Sequence, residues 1–238
     1  MSWAGTGAFA RPGDSSSLIT LYSWATPSGH IVSIMLEEIG TPYDVRTVNI
    51  SKREQFHPTF LAVSPNAKIP AIIDDGAADG PLAIFESGAI LLYLTEKSGR
   101  LLPRSGADRA KAFEWLFWAT AGLAPTLAEF GHFAIFAKRK TPVAIDRLSA
   151  EADRLLRVLD RRLAEAPYLA GEHYSIADIA AYPWAAGAGV LVREHLNAAP
   201  RVRDWLEKLS ARPAVQRGMA APLLAARAAR APRSFNNP

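Results

Sequence analysis

Hydrophobic and polar positions alternate differently in the first third of the chain than in the rest. Residues 18–22 form a short apolar and β-branched run, which predicts a strand. Apolar residues recur at helical spacing over 31–39, and Gly40 with Pro42 ends that helix. The β-branched stretch 43–50 predicts a second strand. A strand, helix and strand of these lengths form a βαβ unit, so the two strands are predicted to be parallel.

The order of the remaining elements divides the chain into an α/β region and a helical region. Apolar runs at 69–73 and 82–85 predict a third and a fourth strand, and a helix is predicted from Ser87 to Gly99. Beyond a linker at 100–107 the strand pattern stops. The predicted helices then occupy 107–136 with a bend at Pro125, 142–163, the stretch that opens with a capping box at Ser175 and Asp178, and 202–209.

The predicted elements divide the chain into four segments. Residues 1–17 are an arm punctuated by Gly, Ser and Pro, and residues 226–238 are a tail. Residues 18–99 are predicted to form the α/β domain and residues 107–225 the all-helical domain.

The composition is that of a globular protein, with 49% hydrophobic and 21% charged residues among 238. Cysteine is absent, which excludes a disulfide framework, a thiolate-bound metal and a cysteine nucleophile. Any thiol chemistry therefore needs a thiol that arrives with a ligand. The histidines lack metal-ligand spacing, so no metal site is predicted.

Charge is distributed unevenly, net −4 over residues 18–99 and net +8 over residues 100–238. The arginines over 147–162 alternate with acidic residues at helical spacing, which favours a solvated helix face over a nucleic-acid surface. The sequence contains no apolar stretch of membrane-spanning length and no secretory leader pattern. We expect a cytoplasmic protein with neither a nucleic-acid nor a membrane partner.

Pro70 stands at the entrance to the third predicted strand, where a residue without an N–H is unexpected. A cis peptide bond between Ile69 and Pro70 would turn the chain and present the backbone groups of Ile69 to a ligand. A proline on an edge strand explains the residue equally well.

Two further segments offer polar groups at predicted helix starts. Glu86 and Ser87 stand between a strand and a helix, where a hydroxyl, free N–H groups and a carboxylate suit the head group of an amino acid. Thr26 and Ser28 stand at the start of the first helix, where the helix-end field favours an anion such as a thiolate. Helix capping is the simpler explanation of each segment taken alone.

Taken together, these segments resemble the thioredoxin-like domain of a glutathione transferase, followed by that family's all-helical domain. Within the superfamily the chain is most similar to the nu-class and disulfide-bond oxidoreductase branch, and the resemblance covers about 18–224. Its motifs are Thr26-Pro-Ser-Gly29, Glu54-Gln-Phe56, Ser64-Pro-Asn-Ala-Lys-Ile-Pro70, Phe85-Glu-Ser-Gly88, Ala144-Ile-Asp-Arg147 and Tyr174-Ser-Ile-Ala-Asp178.

The resemblance implies glutathione as co-substrate, no metal, and a homodimer. It places Thr26 and Ser28 at the sulfur as catalytic residues. The residues that it implies for binding glutathione are Gln55, Lys68, Ile69, Pro70, Glu86, Ser87 and Arg147. Tyr22, His132 and Phe133 are candidates for the site of the second substrate.

The implied activity is reduction of disulfides or conjugation to electrophiles, as in detoxification. With no protein cysteine, disulfide reduction would use two glutathione molecules. The chain departs from the branch at Ser28, where asparagine is usual, and at Ala67, where glycine is usual; we expect the second difference to matter less. Because of Ser28, the alternative is a glutathione-binding scaffold or regulatory protein with little turnover.

Overall fold

The computed structural model describes residues 19–228, so the predicted arm and most of the predicted tail lie outside the described residues. The chain divides into two compact units. Among the described residues, one unit contains 19–86 together with 217–228, and the other is Ser87–Gln216. The predicted domain limits at 18–99 and 107–225 stay a prediction.

A four-stranded mixed sheet organises the first unit, in the order β2-β1-β3-β4. Strand β1 pairs with β2 in parallel and with β3 in antiparallel orientation, and β3 pairs with β4 in antiparallel orientation. This confirms the predicted parallel βαβ unit and the thioredoxin-like fold. The strands are β1 Ile19–Ser23, β2 Tyr43–Thr47, β3 Ala71–Asp74 and β4 Leu82–Phe85.

Helix α1, Pro27–Ile39, follows β1 and packs the apolar stripe that the sequence predicted. Thr26 caps its N-terminus, and Pro27 occupies the first helical position, where a missing N–H has no cost. Gly40 ends the helix with a φ of 71°, a conformation that glycine adopts freely. The short helix α2, Pro58–Leu61, follows 3-10 turns at Ile50–Lys52 and Glu54–Phe56.

The Ile69–Pro70 peptide bond is cis, which decides between the two explanations of Pro70. β3 lies between β1 and β4, so Pro70 does not enter an edge strand. The predicted start of β3 at residue 69 was wrong by two residues, because the strand begins at Ala71. Proline contributes no N–H to the ladder, and pairing starts only after it.

The second unit consists of helices, which confirms the predicted all-helical region. The helices within it are α3 Ser87–Ser98, α4 Gly106–Trp118, α5 Ala124–Gly131, α6 Pro142–Glu165, α7 Ile176–Leu191, α8 Arg193–Asn197 and α9 Pro200–Ser210. Helix α10, Pro213–Ala228, begins in this unit, and its residues from Arg217 onwards belong to the first unit. None of the helices in the described residues has the length and apolarity to cross a bilayer.

The single bent helix predicted over 107–136 is instead a succession of α4, a π-helical turn at Ala119–Leu123, α5, and a second π-helical turn at His132–Phe136. Pro125 lies in the first turn of α5, directly after the first π turn. Since proline cannot donate to the carbonyl four residues back, the regular helical ladder is interrupted at this point.

The capping box predicted at Ser175 and Asp178 is present at the start of α7, which confirms it as a folding element. The buried Asp178 accepts hydrogen bonds from the Ser175 N–H at 3.0 Å, the Leu169 N–H at 3.0 Å and Trp205 Nε1 at 3.1 Å. Burial raises the pKa of Asp178 to about 6, against these hydrogen bonds, which favour the ionised form.

Candidate functional site

The turn that leads into α1 presents hydroxyl groups at the positive end of the helix. Thr26 Oγ1 accepts a hydrogen bond from the Gly29 N–H at 3.2 Å. A hydroxyl that accepts one hydrogen bond still carries its own proton, so Thr26 remains able to donate to a ligand. Pro27 has no N–H, which makes Ser28 the first residue of the helix with an uncommitted backbone donor.

Ser28 offers two donors at this position. Neither its hydroxyl nor its N–H makes a hydrogen bond to any residue within 19–228, and the residue is half-buried. Together with the Thr26 hydroxyl, the turn holds three donors within three residues at a helix N-terminus. Such donors stabilise a bound anion. A thiolate is one such anion, and its formation from a thiol is favoured at a helix N-terminus.

The geometry of this turn depends on Ser23 and Gly29. The buried Ser23 hydroxyl, at the end of β1, donates to the Gly29 carbonyl at 3.0 Å. A Cβ on residue 29 would collide with the Trp24 carbonyl oxygen, so only glycine fits. Sequence reasoning missed both roles, although the glycine of the Thr-Pro-Ser-Gly motif was a signal for one of them.

The segment before β3 presents open backbone groups. The buried Ser64 hydroxyl donates to the Lys68 carbonyl at 2.9 Å and holds the loop. The N–H and C=O of Ile69 make no hydrogen bond to the residues that the structure describes. They are therefore free to pair with the backbone of a peptide-like ligand, and the binding role predicted for Ile69 stays a prediction. Ala67 has a φ of 53°, so the loss of the branch's glycine carries a conformational cost that the sequence comparison did not anticipate.

Glu86, directly before Ser87 and α3, is exposed and has a φ of 70°. Asn66 Nδ2 donates to Glu86 Oε1 at 3.1 Å, which orients the carboxylate. The two residues are 20 positions apart, and sequence reasoning did not assign a role to Asn66.

Gln55 lies in the 3-10 turn at Glu54–Phe56. Glu54 anchors this turn, because its Oε2 accepts the Asn49 N–H at 2.7 Å. Gln55 Oε1 is buried and has no hydrogen-bond partner among the described residues. Because buried polar atoms are normally paired, this oxygen is a candidate acceptor for a ligand donor. The exposed Lys68 forms no ion pair within 19–228 and provides a cation for a ligand carboxylate.

The structure places the predicted residues in both units. The first unit contains Thr26, Ser28, Gln55, Lys68, Ile69, Pro70 and Glu86, and the second contains Ser87, Arg147, His132 and Phe133.

The other predicted residues have the following surroundings. Tyr22 packs on Phe60 with 5.9 Å between ring centroids, in an apolar cluster that also includes Val48. Since side chains alternate along a strand, Tyr22 lies on the sheet face opposite Ser23. His132 and Phe133 contact each other edge to face, and Arg147 is exposed on α6. Among residues 19–228, no three His, Asp or Glu side chains are grouped to hold a metal ion.

Comparisons with known proteins agree with this geometry. The glutathione S-transferase N-terminal domain family matches residues 17–96, and the glutathione S-transferase C-terminal domain family matches residues 123–213. Disulfide-bond oxidoreductase YfcG of Escherichia coli (strain K12) is 47% identical over 199 residues, which cover 83% of this chain and 92% of that protein.

Two solved structures are similar throughout both regions. A glutathione transferase family member from Pseudomonas fluorescens pf-5, with two glutathione bound, has a TM-score of 0.81 and 44% identity, and the match covers 87% of this chain and 95% of that chain. A glutathione transferase from Pseudomonas putida, with one glutathione disulfide bound per subunit, has a TM-score of 0.82 and 40% identity, over 89% of this chain and 94% of that chain.

The chain therefore belongs to the glutathione transferase family. Its similarity to a disulfide-bond oxidoreductase confirms the branch that the sequence motifs indicated.

Proposed function

We propose that this protein binds glutathione and uses the glutathione thiolate to reduce disulfides or to attack electrophilic carbon. The observation that carries the proposal is the set of uncommitted donors at the start of α1, in a chain without cysteine. The sulfur must come from the ligand, and the turn is built to receive it as an anion.

The open groups of the predicted site residues match the parts of glutathione one by one. The backbone N–H and C=O of Ile69 pair with the cysteinyl part of the tripeptide. Glu86 accepts hydrogen bonds from the γ-glutamyl ammonium, and Ser87, the next residue, donates to its carboxylate. At the glycyl end, Gln55 and Lys68 supply an amide and a cation. Arg147 is assigned by family resemblance to the γ-glutamyl group or a second glutathione.

The donors on Thr26 and Ser28 lower the pKa of the bound thiol, because they stabilise only its ionised form. Each tenfold gain in the thiolate fraction requires about 1.4 kcal/mol, which one hydrogen bond to a charged group supplies.

Disulfide reduction then takes two displacements. The bound thiolate attacks one sulfur of the substrate disulfide, forms a mixed disulfide with it and releases the other half as a thiolate. A second glutathione thiolate attacks the glutathione sulfur of the mixed disulfide, releases the remaining half and forms glutathione disulfide. Two electrons pass from two glutathione molecules to the substrate. In conjugation, the thiolate displaces a leaving group such as chloride from carbon.

Ligand-induced stabilisation tests the binding step. Millimolar glutathione should raise the melting temperature, because a ligand that binds only the folded state stabilises it. The double substitution Glu86→Ala and Ser87→Ala should abolish this shift. An unchanged wild-type melting curve at saturating glutathione would refute the ligand. Binding without turnover of either a disulfide or an electrophile would instead support the scaffold alternative.

We further infer a cytoplasmic homodimer with a role in detoxification. Phe117 on α4 is 57% exposed, and Phe136 in the second π turn is 77% exposed. Covering these two rings would remove apolar surface from water, which supports the dimer that the family resemblance implies. Light scattering at micromolar concentration should give about twice the 25.8 kDa mass of one chain, and the mass of one chain would contradict the dimer.

A further inference from the structure

Residues 217 and 218, near the C-terminal end of the described chain, hold three successive turns of α1 within the first unit. The buried Ser33 hydroxyl donates to the Gly218 carbonyl at 2.6 Å. The buried His30 ring lies against the Gly218 backbone. Arg217 Nε donates to Glu37 Oε2 at 2.6 Å. The contacts therefore run along most of the length of α1.

The approach of the two segments at Gly218 requires glycine. A Cβ on residue 218 would lie 2.5 Å from the Cα and 2.6 Å from the backbone N of Ile34. These are backbone atoms in the middle of a helix, so no side chain can rotate away to make room. Even the smallest side chain at residue 218 must push α10 and α1 apart.

A displacement of α1 at Ile34 would also move the turn at Thr26–Gly29, which leads into the helix. Ser28 precedes Ile34 by six residues, about 9 Å along a helix axis, and a packed helix transmits displacement rather than absorbing it. The opposite side of the turn is held by Ser23 of β1, whose hydroxyl donates to the Gly29 carbonyl at 3.0 Å. The first turn of α1 is thus held from β1 by Ser23 and from α10 by Gly218.

We propose that Gly218 and Ser33 are positioning residues for the glutathione thiolate. They hold α1 so that the Thr26 and Ser28 donors meet the sulfur, although neither residue touches it. This inference rests on the proposed function. It means that α10 contributes to the activation of the thiol, a role that the sequence motifs did not indicate.

The test measures the pKa of the thiol of bound glutathione, from the ultraviolet absorbance of the thiolate against pH, in the full-length protein. Gly218→Ala should raise this pKa by about one unit. At a pH below the wild-type value, the bound thiolate fraction then falls about tenfold. The kcat for 2-hydroxyethyl disulfide at that pH should fall about tenfold, while the affinity for glutathione stays within about threefold. Ser33→Ala, which removes a hydrogen bond without adding bulk, should shift the thiol pKa in the same direction by less.

Two matched controls separate positioning from general destabilisation. Gly189→Ala adds the same methyl group in α7, where it meets only a Leu196 methyl at 3.5 Å. Ser210→Ala removes a hydroxyl that donates to a carbonyl at the end of α9. Neither substitution should move the thiol pKa.

The outcomes are distinct. If Gly218→Ala and Ser33→Ala lower the melting temperature but leave the thiol pKa of bound glutathione at the wild-type value, the contact is structural and the proposal is wrong. If Gly218→Ala does not fold, the thiol pKa measured in Ser33→Ala alone decides whether the contact positions α1. If the wild-type protein itself does not lower the thiol pKa below that of free glutathione, the proposed function fails together with this inference.

Discussion

Asn66 and Glu86 are joined by a side-chain hydrogen bond of 3.1 Å, in which the amide donates to Glu86 Oε1. The bond links the loop before β3 to the residue that precedes α3. Both side chains are exposed, so the bond orients the carboxylate rather than contributing much to folding. An oriented carboxylate binds an ammonium group with less loss of side-chain entropy.

Removing this contact should weaken glutathione binding. Ordering a free side chain on binding costs about 0.5–1.5 kcal/mol, so Asn66→Ala should lower the affinity by about three- to tenfold, measured by calorimetry. Asn66→Asp should lower it further, because two carboxylates would repel each other. Asn197→Ala, on the exposed surface of α8, is the matched control. Equal affinities in wild type and Asn66→Ala would remove Asn66 from the site.

Substitutions at the start of α1 should change turnover more than binding. A hydrogen bond to a charged thiolate is worth about 1.5–3 kcal/mol, so Ser28→Ala should reduce the rate by about tenfold to a hundredfold. Thr26→Ala should act similarly and also destabilise the protein by about 1 kcal/mol, because Thr26 is the helix cap. Glutathione affinity should stay within a few-fold in both variants.

The branch residue provides the complementary substitution. Ser28→Asn should keep or raise the reduction of 2-hydroxyethyl disulfide, assayed in parallel with a chlorinated nitroaromatic electrophile. Activity that appears only in Ser28→Asn would favour the scaffold alternative. Full activity in both alanine variants would place the sulfur elsewhere, with Tyr22 the next residue to test.

Ala67→Gly should stabilise the protein. Ala67 has a φ of 53°, a conformation that costs a residue with a Cβ about 1–2 kcal/mol and glycine little. Glycine also has more conformational entropy in the unfolded chain, which offsets part of this gain. The free energy of unfolding, measured with denaturant, should therefore rise by a net amount of about 1 kcal/mol. Ala150→Gly, at an exposed position in the interior of α6, should instead lose about 1 kcal/mol. A loss at both positions would contradict the account of Ala67.

The stability of the helical unit should depend on pH through Asp178. Its pKa is raised from 3.8 to about 6 in the folded protein, so the folded state binds the proton more tightly than the unfolded state. The corresponding stabilisation, about 3 kcal/mol, is complete below pH 4 and is lost as the pH rises through 6.

A comparison with Asp178→Asn isolates this effect. The difference in unfolding free energy between wild type and variant should be largest near pH 4 and should shrink towards pH 7. Asp204→Asn, at an exposed position of α9, corrects for general charge effects. A difference that stays constant with pH would mean that the hydrogen bonds to Asp178 balance its burial, and one that grows towards pH 7 would mean that they outweigh it.

Much of the fold could be predicted because it rests on local signals. The cap at Thr26, the proline at 142 and the capping box at Ser175 each mark a helix start within a few residues of sequence. The parallel pairing of β1 and β2 follows from the length of the connection between them. The family could be identified as well, because several motifs that are weak one by one occur in this sequence in the order typical of that family.

The features that were missed depend on residues far apart in the chain or on backbone conformation. Asn66 reaches Glu86 across 20 positions, and Ser33 reaches Gly218 across 185. Neither residue carries a local pattern that distinguishes it from a surface asparagine or a helix serine. The π turns on either side of α5 require one additional residue per turn, which hydrophobic spacing does not reveal.

The hydroxyl groups at the start of α1 have a consequence for the conditions under which this protein can work. Enzymes that place their own thiolate at such a position are exposed to stepwise oxidation to sulfenic, sulfinic and sulfonic acids, and the last steps are not repaired by ordinary reductants. Serine and threonine do not enter that series, and the chain contains no cysteine elsewhere. The thiol at the proposed site belongs to glutathione, which leaves with the product and is replaced at the next turnover, so peroxide should consume the co-substrate without oxidising Thr26 or Ser28.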